Sequence, residues 1–207
     1  MIPSPRQSPS QIGAILLAAG ASVRMGRPKQ LLPVGGETLL ARTSAVLLAA
    51  PVWPVIVALG ANADDIRPQL ARLPVIVVEN EAWPEGMASS IRSGITTLQQ
   101  FSRSMAGALI ALCDQPALTS EMVARLVEEH RRANESIIAA RYADRCGAPV
   151  LFPHAVFPEL QALTGEQGAR VVVDAHAAQV VAIDLPELAF DLDTPEQYEA
   201  WKKSAQA

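Results

Sequence analysis

The chain has 207 residues, half of them hydrophobic and 18% charged, with a formal net charge of −4; its mean hydropathy is +0.20 and its pI about 5.4. So much apolar matter excludes an intrinsically disordered chain, and the length fits one ordinary domain better than two. The acidic balance argues against broad non-specific binding of nucleic acid or anionic membrane, so any phosphate site has to be local.

The opening stretch MIPSPRQSPS is rich in Pro and Ser and has no apolar segment of signal-peptide length, so residues 1–10 are expected to be a disordered tail ahead of a single domain over 11–207. A cytoplasmic location follows by default. From Gln11 onward the apolar runs IGAILLA, PVIVAL, PVIVVEN, GALIALCD, SIIAAR and QVVAID read as strands. Their continuous rather than alternating apolarity suits parallel strands covered on both faces. Residues 38–50, 62–70, 87–100 and 120–132 have helical spacing, with Asn62 and Thr119 placed as N-caps, and Pro195 opens a last helix behind Thr194. The alternation predicts an α/β fold, a three-layer α/β/α sandwich around a mostly parallel, Rossmann-like sheet. Thr43 to Ala63 carries no charge for 21 residues, about a bilayer span, but Pro51 and Pro54 divide it into a helix end near Ala50 and a buried strand, Val55 to Leu59. Residues 142–168 are less regular and are a candidate substrate-facing lobe. Cys113 and Cys146 form no CxxC pair and read as buried thiols in a reducing compartment.

The loop after the first strand, LLAAGASVRMGRPKQLLPVGG, lies where ligands collect in open α/β sheets. Ala18, Ala19, Gly20 and Ala21 let the backbone come close to a ligand, while Arg24, Arg27 and Lys29 put three cations into six residues. One reading is a polyphosphate cradle; the other is a solvated basic turn. The segment is not a P-loop, because five residues separate Gly20 from Gly26 and Arg-Pro-Lys stands where Gly-Lys-Ser/Thr is required; nor is it GxGxxG. ALCDQP ends a strand in Asp114, placed either to hold Mg²⁺ against phosphate oxygens or to cap the turn before Thr119. FDLDTPEQY sets Asp191 and Asp193 two residues apart, on one face of an extended stretch. Either completes a metal site, or Asp193 simply begins the last helix. In ENEAWPEGMASSIRSG, Asn80 and a helix start carrying Gly86, Met87, Ser89 and Ser90 offer groups for a base edge or ribose, or else ordinary capping above a core stripe of Met87, Ile91 and Ile95. Trp83 reads as a packing anchor. His130, His154 and His176 lack metal-ligand spacing, and there is no GxSxG elbow, so no covalent nucleophile stands out.

Taken in chain order, LAAGASVRMGRPKQLLP, ENEAWPEGMASSIRSG, LCDQP, CGAPVLF, LTGEQGAR and FDLDTPEQ resemble the motifs of the molybdenum cofactor nucleotidyltransferases, GT-A-like α/β enzymes related to sugar-phosphate nucleotidylyltransferases. The resemblance covers most of the chain. LAAG, with Ala19 at the discriminating place, is similar to the cytidylyltransferase branch, where guanylyltransferases usually have LAGG; GMASSIRSG looks like the same branch. Glu166 stands where the family commonly has Asp. The resemblance implies transfer of CMP from CTP to the terminal phosphate of Mo-molybdopterin, giving molybdopterin cytosine dinucleotide and pyrophosphate. Such chemistry needs positioning and charge neutralisation more than a protein nucleophile. By the same resemblance Ala18, Ala19 and Gly20 hold the base and ribose edge, and Asn80, Gly86, Met87 and Ser90 complete the nucleotide pocket. Arg24 and Lys29 stabilise charge on the departing pyrophosphate. Asp114, with Asp193 ahead of Asp191 as second ligand, binds Mg²⁺, with Mn²⁺ as the alternative. Three other readings stay open: GMP transfer, NTP transfer to another small phosphate such as a sugar phosphate, and a non-catalytic chaperone delivering cofactor to a molybdenum hydroxylase of the xanthine dehydrogenase type. No nucleic-acid or membrane partner is expected.

Overall fold

A computed structural model describes residues 11–205; the expected tail over residues 1–10 lies outside them. In chain order the elements are β1 (Ile12–Leu17), β2 (Pro33–Val34), β3 (Glu37–Thr38), α1 (Leu39–Ala49), β4 (Val55–Leu59), α2 (Ala63–Ile66), β5 (Ile76–Glu79) and α3 (Met87–Phe101). They continue with β6 (Gly107–Leu112), α4 (Ser120–Arg132), β7 (Ile137–Tyr142), β8 (Arg145–Pro153), α5 (Phe157–Ala162), α6 (Arg170–Ala175), β9 (Val180–Asp184) and α7 (Pro195–Ala205). Seven strands form one sheet in the order β5-β4-β1-β6-β8-β7-β9, and β2 and β3 pair separately.

Within that sheet β1 runs parallel to both β4 and β6, β4 to β5, and β7 to β9; β8 alone runs antiparallel, between β6 and β7. The chain steps from β1 outward through β4 to β5, then returns to β6 on the other side of β1. The carboxyl ends of β1 and β6 therefore flank the point where winding direction reverses, the place at which such sheets leave a crevice. Helices cover both faces. Ala14 and Leu16 face Leu39, Leu40 and Leu47 of α1 and Val123, Leu126 and Val127 of α4, while Ile15 and Leu17 face Ile91, Ile95 and Leu98 of α3 with Phe157 and Leu160 of α5. This is why the strands are apolar without alternation; each such buried Leu or Ile contributes about 1.5–3 kcal/mol. Gly94 lets α3 lie close to β1, since a Cβ there would come within 2.5 Å of Ile15 Cγ2.

Thr119 and Thr194 cap their helices, accepting from Met122 N and Gln197 N at 3.3 Å each. Asn62 does not act as an N-cap: it sits in the left-handed region with φ 58°, and its side chain makes no cap hydrogen bond. The helix expected over residues 62–70 is one short turn, α2, followed by a 3₁₀ turn over Arg67–Leu70 with Pro68 at its start. The irregular stretch after residue 142 holds a strand, β8, tied to β7 by a tight turn, with a register shift opposite Ala139 and Ala140. Cys113 is buried, but Cys146 is only partly so. Among the described residues, no helix is long and apolar enough to cross a membrane.

Candidate active site

Two cavities adjoin at the carboxyl ends of β1 and β6. The first, of about 360 Å³, is walled by Ala18 to Ala21, by Lys29 and Gln30, by Gly86, Met87 and Ser90 at the start of α3, and by Asp114. The second, of about 230 Å³, is walled by Tyr142, Arg145, Cys146 and Gly147 of the β7–β8 hairpin, by Gly168, Ala169 and Arg170 ahead of and opening α6, and by Asp191. Leu17, Met87 and Leu112 line both.

Asp114 follows the last residue pairs of β6 and so projects from the sheet edge beside the loop after β1. The Lys29 ammonium donates to Asp114 Oδ2 at 2.6 Å and to Asp193 Oδ1 at 3.0 Å. Arg24 donates to Asp193 Oδ2 at 2.9 Å from a largely exposed side chain. Three segments far apart in sequence are thus joined by charge at one point. Burial works to lower the Lys29 pKa, but Asp114 and Asp193 outweigh it and hold the ammonium above its ordinary value. Burial works to raise the Asp193 pKa, but Lys29 and Arg24 outweigh it and hold the carboxyl below the usual range. Asp191 behaves oppositely. Burial, then repulsion from Asp114 and Asp193, push its pKa up to about 6.

Of the residues expected to bind nucleotide, the first cavity collects Ala18, Ala19, Gly20, Lys29, Gly86, Met87 and Ser90. Arg24 does not line it; it reaches the centre only through Asp193. Asn80 is also off the wall, a correction with a clear cause. Its amide donates to Ser89 Oγ at 2.8 Å and Ser90 Oγ at 2.9 Å, and its carbonyl oxygen accepts from Ala82 N. All its polar atoms are committed within the protein, so it orients Ser90 from behind. The start of α3 is not an open row of amides either. Gly165 O takes the Ala88 amide at 3.2 Å, which is possible because Gly86, at φ 120°, has no Cβ to strike that carbonyl 2.4 Å away. The Thr164–Gly168 loop is pinned there by Arg92, which donates to Leu163 O and to both carboxylate oxygens of Glu85.

The carboxylates expected to hold metal are split. Asp191 faces the second cavity and Asp114 the first, while Asp193 lines neither and is bound to two cations. Among the described residues, no three His, Cys, Asp or Glu side chains converge as a ready ligand cluster. Oδ1 of Asp114 and Oδ1 of Asp191, however, are buried without a hydrogen-bond partner. Buried, unpartnered carboxylate oxygens are costly, and a cation neutralises them. Mg²⁺ usually takes only one or two protein carboxylates and completes its shell with water and substrate phosphate, so this pair fits such an ion.

Trp83 and Gln30 carried no functional sign in the sequence. Trp83, expected as a packing anchor, stands partly exposed on the first cavity, and Glu166, marked in the sequence only by its place in LTGEQGAR, reaches it from the Thr164–Gly168 loop. Gln30 lies beneath the wall and is buried. A polar residue immediately ahead of an apolar pair, as in Lys-Gln-Leu-Leu, was the available hint.

A crevice at the winding switch point is where open α/β sheets of nucleotide-handling enzymes take their ligands. The chain belongs to the MobA-like NTP transferase domain family, whose model matches residues 14–180. It is 33% identical over 195 residues to the nicotine blue oxidoreductase of Paenarthrobacter nicotinovorans, covering 90% of this chain and 94% of the relative. It is 31% identical over 188 residues to a molybdenum cofactor guanylyltransferase of Rhodobacter capsulatus, covering 90% and 92%. Rv0371c from Mycobacterium tuberculosis H37Rv matches with TM-score 0.80 at 32% identity over 94% of this chain and 98% of that one, and another crystal structure of that protein is a complex with manganese.

Proposed function

We propose that this chain transfers CMP from CTP to the terminal phosphate of Mo-molybdopterin, forming molybdopterin cytosine dinucleotide and releasing pyrophosphate. The observation that carries the reading is the pair of adjoining cavities with Lys29 and Asp114 at the first and Asp191 at the second. In-line transfer requires a donor and an acceptor side by side, with charge neutralised between them.

In this reading the backbone from Ala18 to Ala21 and the start of α3 receive the nucleotide. The Ala19 methyl takes space on the base side, which supports the smaller base, cytosine. Lys29 moves from Asp114 and Asp193 to the phosphates and stabilises charge on the leaving pyrophosphate. Arg24, held near by Asp193, assists from the rim. Arg145 and Arg170 supply the positive charge an anionic acceptor needs in the second cavity. Asp114 and Asp191 are the residues that would hold Mg²⁺ or Mn²⁺, Asp191 being better placed than Asp193 because its oxygen is unpartnered. A divalent ion held there would supply positive charge to offset the charge developing on the phosphates.

The test is purified protein with Mg²⁺ and each NTP in turn, given Mo-molybdopterin or a sugar phosphate as acceptor, following pyrophosphate and the dinucleotide. Product with CTP alone is the expected result. Product with GTP alone moves the chain to guanylyl transfer, and product only with a sugar phosphate replaces the acceptor. The 33% identical relative, a nicotine blue oxidoreductase, supplies a second reading, oxidoreduction of nicotine blue. Conversion of that compound with no pyrophosphate from any NTP would replace the transferase.

A further inference from the structure

Two of the charged residues at the centre of the site, Lys29 and Asp114, are each followed directly by a buried glutamine, Gln30 and Gln115. Both are 1% exposed. Burying a primary amide is unfavourable unless its donors are used, so the partners of each show what it is for. Gln30 Nε2 donates to Ala18 O at 2.7 Å and to Gly20 O at 3.0 Å, and its Oε1 accepts from Ser22 Oγ at 3.3 Å. Ser22 Oγ in turn accepts from Lys29 N at 3.1 Å. Ala19 O is taken by Ala61 N. Every carbonyl from 18 to 20 is therefore held by a partner within the protein, as is the Ala18 amide, which donates to Ala58 O at 3.0 Å, so the path of this wall of the cavity is fixed.

Gln115 makes the matching arrangement on the other cavity. Its Nε2 faces Tyr142 Oη at 3.2 Å, Ala148 O at 3.1 Å and Leu188 O at 3.3 Å, and Tyr142 Oη itself donates to Ala148 O at 2.9 Å. With two carbonyls on that side, the reverse amide orientation would set oxygen against oxygen, so the orientation is dictated. Oε1 is left buried without a partner. Through its Nε2 contacts Gln115 fixes the β7–β8 hairpin, which walls the second cavity, to the end of β6 and to the segment leading into Asp191.

We propose that Gln30 and Gln115 are positioning residues with separate duties, Gln30 shaping the nucleotide wall and Gln115 the acceptor wall. The proposal rests on the assignment of the two cavities made above. Its test uses the full chain and Gln30→Met, Gln30→Glu, Gln115→Met and Gln115→Glu. Three quantities are read: CTP affinity by calorimetry with Mg²⁺, KM for Mo-molybdopterin at saturating CTP, and melting temperature. Gln30→Met is expected to weaken CTP binding about 10-fold while leaving the acceptor KM within about twofold, and Gln115→Met to do the reverse. The Glu variants, which turn an acceptor toward carbonyls, exaggerate each effect. Equal changes in both constants, or none, overturn the proposal; so does a position at which both substitutions prevent folding, because the residue is then simply structural. Wild-type protein that binds no nucleotide overturns the cavity assignment itself. Wild-type protein that prefers another NTP leaves the split to be read with that NTP.

Discussion

The two cavities share three lining residues but are made of different material. The first contains a run of main chain and small side chains, Ala18 to Ala21 and Gly86, at the ends of parallel strands, facing Lys29, Trp83 and Asp114. The second has no such run on β1 and takes its polar groups, Tyr142, Arg145, Cys146, Arg170 and Asp191, from a hairpin, a short helix and the segment before α7. A main-chain wall reads what every nucleotide has in common, and substitution barely alters it. A side-chain wall is rewritten by each substitution, so it is the place where relatives of one fold can diverge in what they accept.

Five measurements bear on that contrast, and the largest effect falls where the cavities meet. Asp114→Ala is expected to lower kcat by about 10³-fold or more with the fold retained by circular dichroism, because the loss is of charge stabilisation at the reacting phosphate. Near-normal pyrophosphate release would remove Asp114 from the chemistry. Lys29→Ala should cost about 10²–10³-fold in kcat with little change in CTP affinity, as befits a group acting in the transition state. A change confined to affinity would make Lys29 part of the wall instead. Arg170→Ala and Arg145→Ala should each raise the acceptor KM about 10-fold and leave CTP binding unchanged, matching a charge-assisted contact of roughly 1.5 kcal/mol. Weaker CTP binding in either variant would merge the two cavities into one. Ala19→Gly should relax the CTP-to-GTP ratio of kcat/KM only about severalfold, since a methyl group discriminates weakly; an unchanged ratio places base choice elsewhere.

His130 offers a control away from both cavities. It is buried on α4, and burial lowers its pKa below the ordinary value of 6.5. The unfolded chain takes up a proton near that pH and the folded one resists, so this stability is full above about pH 6.5 and is lost as pH falls toward the folded value, at no more than about 1.4 kcal/mol per unit. Melting temperature followed from pH 7.5 downward should flatten in His130→Gln. An unaltered slope would assign the acid sensitivity to other groups.

The same contrast governs what could be read from sequence. The strands and loop beside the first cavity were legible because parallel strands covered on both faces announce themselves as unbroken apolar runs, and that loop is short and local. The hairpin was not. Its turn residues Ala143 and Asp144 both have positive φ, 47° and 59°, yet neither is the Gly or Asn that marks such turns. Gly147 and Pro149 lie inside β8 and read as breaks in it. Asn80 and Asn62 show the other failure: residue type named a plausible role, but only the surrounding partners decide whether an amide faces a ligand or the protein. Glutamines such as Gln30 and Gln115 carry no spacing rule at all.

The lone antiparallel strand has a practical consequence. Because β8 reverses direction, the Ala143–Asp144 turn emerges at the catalytic edge of the sheet with both residues exposed. Chain added at an exposed turn adds little closure entropy, each doubling of a loop costing about 0.6 kcal/mol. The hairpin wall of the second cavity can therefore be lengthened, capped or grafted at residues 143–144 without touching the parallel strands beside the first. In the proposed reading, the turn is an insertion point for changing what this scaffold accepts while keeping what it donates.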